Sequence, residues 1–545
     1  MQSFTATFYD AEEKIWSGPK RKQFYGSNMT LGEVALLEWS RNPEKIVQIM
    51  DSTGEIKTAA ELAHESKIIA NNLMRLGLDA HDVVGIAANN STYLTAVVVA
   101  AFLCGAPINA LYPYFDKDSV KIVFEVTTPK IIFCDVHNYE IIKSARDELH
   151  LTADIYLLNG VIHGVRNVKE LLVPVETVDL HSLSFPCTHL SGDHTAVILC
   201  SSGTTGTPKG SLCSHEALMN LPTFQNTTSD TVLFTFSTLY WASGLWTFTA
   251  AILNGAKRII TNKPFTPEYF LRLIDTYRIT HIISGPEYIA QVLQNATAET
   301  SARLSSIQYL LCGGSKVPQV ISEKFNALLG TQPKPGLVVA YGMSELSTML
   351  SQNDGGPGKR REGTEGKLTP NMQVCITTKN GEKLGINMPG IINIRTPYAW
   401  LGYYRNKEVT EKSLSNGWLI TSDIGYFDED GFLHVCSRDN DVFKSRNFQI
   451  YPQQIEEVIM QVPGVLEVCV FGIPDLVTTN FIACAVVRTN NIEGERLTVA
   501  KVEEYVAENM AAIYQIKGGV FFLNELPKTG SGKVLRRKVY DLVKS

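Results

Sequence analysis

The chain predicts an α/β fold, in which a large N-terminal domain of α/β sandwich subdomains carries a small β-rich subdomain and is followed by a smaller α+β C-terminal domain. Three observations predict it. From about residue 30 to 340, short apolar runs alternate with helix-length segments, the pattern of parallel strands with helices on their faces. Beyond residue 360, Gly, Pro and Asn turns separate short alternating strands, as at 372–377 and 391–396. The polar cluster SRDND at 437–441 then stands between two apolar runs, and the remainder mixes helical and strand patterns. The expected boundaries are 1–437 and 442–545, with 438–441 between them.

Taken in order, residues 58–76 have helical spacing, and 83–88, 107–111 and 130–134 read as strands. The stretch 83–115 carries no charged side chain over more than the roughly 20 residues that a bilayer needs. Asn89, Asn90, Gly105, Pro107, Asn109 and Pro113 interrupt it, so it is expected to be a buried strand, a helix at 92–104 and a second strand rather than a membrane span. Residues 196–200 form a further apolar strand that runs into SSGTTGTPKG at 201–210. Strand patterns resume at 231–236, 258–261, 281–284, 307–311 and 338–340, the last two ending in CGGS and YGMSE. Helices at 452–461 and 498–510 and strands at 467–472 and 482–487 complete the C-terminal unit.

A chain of 545 residues exceeds one core and is expected to form roughly three or four structural units. A net charge of -6 with 19% charged residues gives no basic excess, which argues against a nucleic-acid partner. The ten cysteines are scattered, with neither a C-x-x-C pair nor a zinc-like spacing, and are expected to be reduced core thiols. No basic flank and apolar core mark a secretory signal, and the final residues are not Ser-Lys-Leu. A cytoplasmic location is expected, with a peroxisomal one left open. The expected partners are small molecules, with the chain a monomer or homodimer.

The 201–210 stretch holds three glycines, five Ser or Thr, one Pro and Lys209. Glycines free backbone N–H groups, hydroxyls add donors and the lysine adds a cation, so its guest is expected to be a polyphosphate. It is not a Walker loop, because Lys209 follows Pro208 and precedes Gly210, and no G-x-G-x-x-G stands between a strand and a helix.

The loop instead resembles the phosphate-binding signature of the adenylate-forming superfamily, which includes acyl-CoA synthetases, peptide-synthetase adenylation domains and beetle luciferases. Ser214-His215, Gly313-Gly314-Ser315, Ala340-Tyr341-Gly342-Met343-Ser344-Glu345, Gly402-Tyr403-Tyr404, Gly417-Trp418-Leu419, Thr421-Ser422-Asp423, Arg438 and PKTGSGK at 527–533 follow in family order. The resemblance implies a synthetase of the insect luciferase-like and 4-coumarate-CoA ligase-like group that uses ATP, Mg²⁺ and coenzyme A. A carboxylate would attack the α-phosphorus of ATP, pyrophosphate would leave, and a thiol would then displace AMP. The implied acid is a medium- or long-chain fatty acid.

By that resemblance, Ser201, Ser202, Gly203, Thr204, Thr205, Gly206, Thr207 and Lys209 hold the departing phosphates. Gly314, Ser315, Ala340 and Tyr341 face the adenine, while Asp423 and Arg438 face the ribose. Ser344 contacts the α-phosphate, Glu345 holds Mg²⁺, and Lys533 is the mobile catalytic lysine. Trp241, Gly244, Gly313 and Met343 line the acyl pocket. The C-terminal domain becomes a lid that rotates about 438–441 and brings Lys444, Asn447 and Phe448 to the CoA side.

Three departures matter. Trp241 replaces the family's His, which is expected to shape acyl selectivity. Asn440 replaces the usual hinge Asp or Lys, and Asn447 stands for Gly. The alternatives are a luciferase-like monooxygenase, a standalone amino- or aryl-acid adenylating enzyme, and an inactive binding paralogue.

Overall fold

Strands that are apolar on both faces need cover on both sides, and the central strands of the first sheet have it. In the computed structural model this sheet runs Lys209–Ser214, Thr195–Ser201, Ile108–Ala110, Val84–Ala87, Ile131–Asp135 and Asp154–Asn159. Neighbours are parallel except the first pair, an antiparallel hairpin. The structure describes residues 4–175, 183–201, 209–220, 224, 226–294, 296–330, 336–354, 360–445, 448–475, 478–529 and 533–544.

The uncharged stretch is a core helix, Leu94–Leu103, buried along its whole length. It packs on helices Leu31–Arg41 and Ala59–Arg75. The second of these begins with a capping box, in which Thr58 Oγ1 accepts from the Glu61 N–H at 3.2 Å and Glu61 Oε2 accepts from the Thr58 N–H at 2.7 Å. No helix among the described residues is long and apolar enough to cross a membrane.

The second sheet has nine strands, in the order Lys367–Leu368, Thr348–Gln352, Gly336–Met343, Tyr309–Cys312, His281–Ser284, Val232–Phe234, Lys257–Ile260, Ile46–Met50 and Ile56–Thr58. Its middle is parallel and its margins antiparallel. Helix Ala242–Asn254 lies between the two sheets. Leu245, Phe248 and Ile252 join the core of the first, and Trp246, Ala250 and Ala251 join a core over the second.

The third sheet is the antiparallel β-rich unit, built around Gln373–Thr377, Gly390–Arg395, Trp418–Phe427 and Leu433–Arg438. Two strands from the N-terminus, Phe8–Asp10 and Ile15–Ser17, extend it, and Trp16 stacks between Tyr9 at 4.2 Å and Phe427 at 4.7 Å. A single 3₁₀ turn, Asp439–Asp441, links this sheet to the C-terminal unit. There, Val465–Asp475, Thr479–Arg488 and Gly519–Leu523 form a sheet covered by Pro452–Ile459, Val499–Asn509 and Arg536–Lys544, with cores of its own.

Two local expectations change. Ser201 and Lys209 are not loop residues but register partners at the hairpin's end. The strand expected at 338–340 extends over Gly336–Met343, because a bulge at Tyr341/Gly342 lets it leave its parallel neighbour and pair with Thr348–Gln352. All ten cysteines are buried and unbridged, as core thiols should be.

Candidate active site

The site grows from the C-terminal ends of second-sheet strands and from the first-sheet hairpin. Residues Ser202, Gly203, Thr204, Thr205, Gly206 and Thr207 lie outside the described residues. The outer strand of the hairpin is covered by residues 402–404. Leu212 N–H donates to the Gly402 carbonyl at 3.0 Å, and Tyr404 N–H donates to that of Gly210 at 2.8 Å. This docking sets Tyr403 beside both flanking charges. Lys209 Nζ lies 5.4 Å from the Tyr403 ring, and the Tyr403 O–H donates to Glu345 Oε1 at 2.8 Å. Burial, and then the Glu345 charge, push the Tyr403 phenol pKa far up, so it stays a donor.

Ser344 and Glu345 occupy a 3₁₀ turn, Ser344–Leu346, directly after the bent strand. Among the described residues no group of three or more His, Cys, Asp or Glu side chains could hold a metal unaided. One carboxylate, steadied on one oxygen by Tyr403, suits Mg²⁺, which keeps several waters and completes its shell with substrate phosphates.

Gly313 follows the strand Tyr309–Cys312, and a Cβ there would lie 2.5 Å from the Ala340 carbonyl oxygen. Only glycine permits this approach of the two segments. Gly314 takes a φ of +90° in open space, which also favours glycine and turns Ser315 onward. Lys316 is half-buried and pairs with the buried Glu365 at 2.8 Å. Glu457, from the C-terminal unit, lies within the field of Lys316; burial raises its carboxyl pKa and Lys316 pulls it back.

Asp423 and Arg438 face each other on adjacent antiparallel strands, with Arg438 Nε 3.4 Å from Asp423 Oδ1. The Tyr341 O–H donates to the other Asp423 oxygen. Burial, and then this carboxylate, hold the Tyr341 phenol well above its usual pKa. Ala340 is buried, and Tyr341 and Met343 pack on the third-sheet core.

Lys533, from the C-terminal unit, lies in the electrostatic field of this group. Its backbone is held to Thr529: Lys533 N–H donates to Thr529 Oγ1 at 3.2 Å and Thr529 N–H to the Lys533 carbonyl at 2.8 Å. The side chain remains open to solvent, yet the surrounding protein crowds the amine. That burial lowers its pKa from the usual lysine value; Arg438 lowers it further, while Asp423 and Glu345 raise it. Lys533, Arg438, Asp423 and Glu345 therefore share one electrostatic neighbourhood.

Other expected residues lie apart. Lys444 and Phe448 are exposed on the hairpin Phe443–Ser445 and Phe448–Ile450, and Phe448 shows 51% of its surface. Asn447 lies outside the described residues. Trp241 caps the N-terminus of Ala242–Asn254 and packs edge-on to Tyr240 at 4.4 Å, with Tyr112 at 6.0 Å. Gly244 sits in the first turn of that helix, where a Cβ would lie 2.0 Å from the Thr238 carbonyl oxygen. Tyr112, Tyr240, Tyr403 and Lys316 were not singled out as site residues, although Tyr403 stands in a quoted motif and Lys316 adjoins Ser315.

The description "AMP-binding enzyme" belongs to the family model that matches residues 37–404, and the model of the AMP-binding enzyme C-terminal domain matches 454–533. The 4-coumarate–CoA ligase-like 2 of Arabidopsis thaliana is 27% identical over 555 residues, spanning 99% of this chain and 94% of that protein. A luciferin 4-monooxygenase of Nipponoluciola cruciata is 25% identical over 555 residues, spanning 98% of each. In fold, the anthranilate CoA ligase AuaEII in complex with anthranoyl-AMP matches with a TM-score of 0.85 at 19% identity, over 95% of this chain and 98% of that one.

Proposed function

The chain belongs to the AMP-binding enzyme family, and on that premise we propose that it is an ATP-dependent acid–CoA ligase acting on a medium- or long-chain acid. The reading rests above all on one observation: Asp423 is held between the Tyr341 hydroxyl and Arg438 while Glu345 takes the Tyr403 hydroxyl, and Lys533, from the C-terminal unit, lies in their electrostatic field. Named relatives that are CoA ligases support it.

The reaction joins two anions. A carboxylate oxygen attacks the α-phosphorus of ATP, the bond to the β-phosphate bridging oxygen breaks, and pyrophosphate carries away its electron pair. CoA sulfur then attacks the acyl carbon, loses its proton, and AMP leaves. The protein must mainly align and neutralise charge. Lys533, with a flexible stem and a point charge, bridges the carboxylate and α-phosphate. Asp423 accepts from the ribose hydroxyls, for which its Tyr341 and Arg438 contacts hold it in place. Ser344 donates to the α-phosphate, and Lys209 with residues 201–207 holds the leaving pyrophosphate. Glu345 would hold Mg²⁺, which would supply charge neutralisation at the phosphates. Rotation about 438–441 withdraws Lys533 and brings Lys444, Asn447 and Phe448 to the CoA thiol.

The test is pyrophosphate release by the purified chain over C6 to C18 fatty acids, aryl acids and amino acids, with and without CoA. Acid-dependent pyrophosphate, followed by CoA-dependent thioester, is expected. Pyrophosphate release that never yields a thioester would instead identify a plain adenylating enzyme.

A further inference from the structure

Helix Pro452–Ile459 opens the C-terminal unit and faces two ways. Ile455 and Ile459 are fully buried in the core of that unit, and Glu456 reaches back into it, to Arg536 and to the Val470 N–H at 2.8 Å. Gln453 and Glu457 lie one turn apart on the other side of the helix. The helix packs on the strand Leu433–Arg438 of the third sheet, so it is part of the contact between the two units.

Gln453 and Glu457 each bury a side-chain oxygen, Oε1, that accepts no hydrogen bond from the described residues. Glu457 Oε1 reaches the N-terminal domain: a Cβ on Gly363 would lie 3.6 Å from it and 3.2 Å from Gln319 Oε1. The charged groups around it are already committed. Lys316 pairs with Glu365 at 2.8 Å, and the other Glu365 oxygen accepts from the Val435 N–H at 2.7 Å. His434 pairs with Asp428 at 2.9 Å, Asp428 also takes Arg361, and Arg360 and Glu362 lie 3.9 Å apart on the approach to Gly363. Burial raises the Glu457 carboxyl pKa; Lys316 lowers it, Glu365 raises it and His434 lowers it. A buried oxygen without a donor destabilises the contact that buries it, and a charged one does so most. Lasting interfaces satisfy such atoms, whereas this helix carries two of them.

We propose that Glu457 is a positioning residue for the C-terminal unit: its carboxylate, held unpaired against Gly363, makes the observed orientation temporary and returns to water when the unit turns about 438–441. The inference rests on the rotation contained in the ligase reading. Glu457 is buried in the same orientation that sets Lys533 in the field of Asp423 and Glu345. Ionised Glu457 therefore shortens that state and favours the step with CoA. Protonation does the opposite. Burial raises the carboxyl pKa in the observed orientation alone, so this orientation gains as pH falls and is lost as pH rises through the raised value. Each unit of pKa difference between the two orientations changes their ratio about tenfold.

The experiment reads orientation and chemistry separately, in the full chain. The ten native cysteines are buried, so spin labels go on Val161→Cys and Ile492→Cys, positions exposed by 80% and 64%, one in each unit. Distances between the labels are measured from about pH 5 to 8. In wild type the share at the observed distance should fall about threefold or more as pH rises. In Glu457→Gln it should stay high throughout, and Glu457→Asp should keep the fall. With the acid that wild type uses best, ATP–pyrophosphate exchange in Glu457→Gln should hold at the wild-type rate, while a single turnover of preformed acyl-adenylate with CoA slows about threefold to tenfold. Thermal unfolding confirms that each variant is folded. Distances that ignore pH in wild type, or that titrate alike in wild type and Glu457→Gln, would overturn the inference, as would equal slowing of the two half-reactions. Absence of pyrophosphate with every acid would remove the ligase reading, and the distances would still decide the role of Glu457.

Discussion

On the side proposed for the nucleotide, Asp423 sits between the Tyr341 hydroxyl and Arg438, Glu345 takes the Tyr403 hydroxyl, and Lys533 feels the charge of both carboxylates. On the side proposed for the acid, Trp241 stands at the start of a helix wedged between two sheets and packs edge-on to Tyr240. The nucleotide never changes, so its receptor is a set of opposed charges and hydrogen bonds fixed by the protein. The acid is what distinguishes one such enzyme from another, and on the proposed reading its receptor is left to packing around Trp241. Substitutions on the first side should therefore cost rate with every acid, and those on the second should redistribute rate among acids.

The largest effect is expected at Lys533. Lys533→Ala should slow acid-dependent ATP–pyrophosphate exchange by about 10² to 10³-fold, the scale of losing a charge aimed at the transition state. Its ranking of acids should stay as in wild type. Next comes Asp423→Asn, which replaces a charged acceptor by a neutral one; about 2 kcal/mol, or roughly thirtyfold in KM for ATP, should be lost. Saturation kinetics in ATP at a fixed acid measure it. A shift in acid preference on either substitution would break the division between the two sides.

Smaller and opposite in character is Trp241→His. About 1 to 3 kcal/mol of discrimination among chain lengths is available to a pocket wall, and a C6 to C18 series should show it while KM for ATP holds. Unchanged kinetics across the series would remove Trp241 from the acid side. The subtlest expectation concerns pH. Lys533 acts charged, and burial followed by Arg438 holds its pKa below the usual lysine value. Activity is therefore full below that lowered pKa and falls as pH rises through it, so the alkaline limb of kcat/KM for ATP should lie below that of an ordinary lysine. Arg438→Gln removes a like charge and should move the limb upward, whatever it does to the plateau.

The residues proposed for the nucleotide were the easier to pick out in the sequence, for a physical reason. Lys209, Glu345, Asp423 and Lys533 stand in short motifs whose residue types follow from a constant ligand. What those motifs could not convey is contact over long sequence distance. Tyr403 acts only because 402–404 docks on a strand some two hundred residues earlier, and the sheet carrying Asp423 is completed by Phe8–Asp10 and Ile15–Ser17. The hairpin at Ser201 and Lys209 was hidden because Lys209–Ser214, with Gly, Ser and Cys among its residues, lacks a clear strand alternation. The burial of Arg258 was invisible locally, since KRII looks like the start of an ordinary strand until Thr95 and Phe248, from two helices earlier in the chain, close over it.

The central claim is that a substrate carboxylate attacks the α-phosphorus of ATP. It is tested most directly with an acid carrying ¹⁸O in its carboxyl group, turned over with ATP, Mg²⁺ and CoA. The account predicts one ¹⁸O in the AMP released and none in pyrophosphate. Label recovered in inorganic phosphate, with ADP as the nucleotide product, would contradict it.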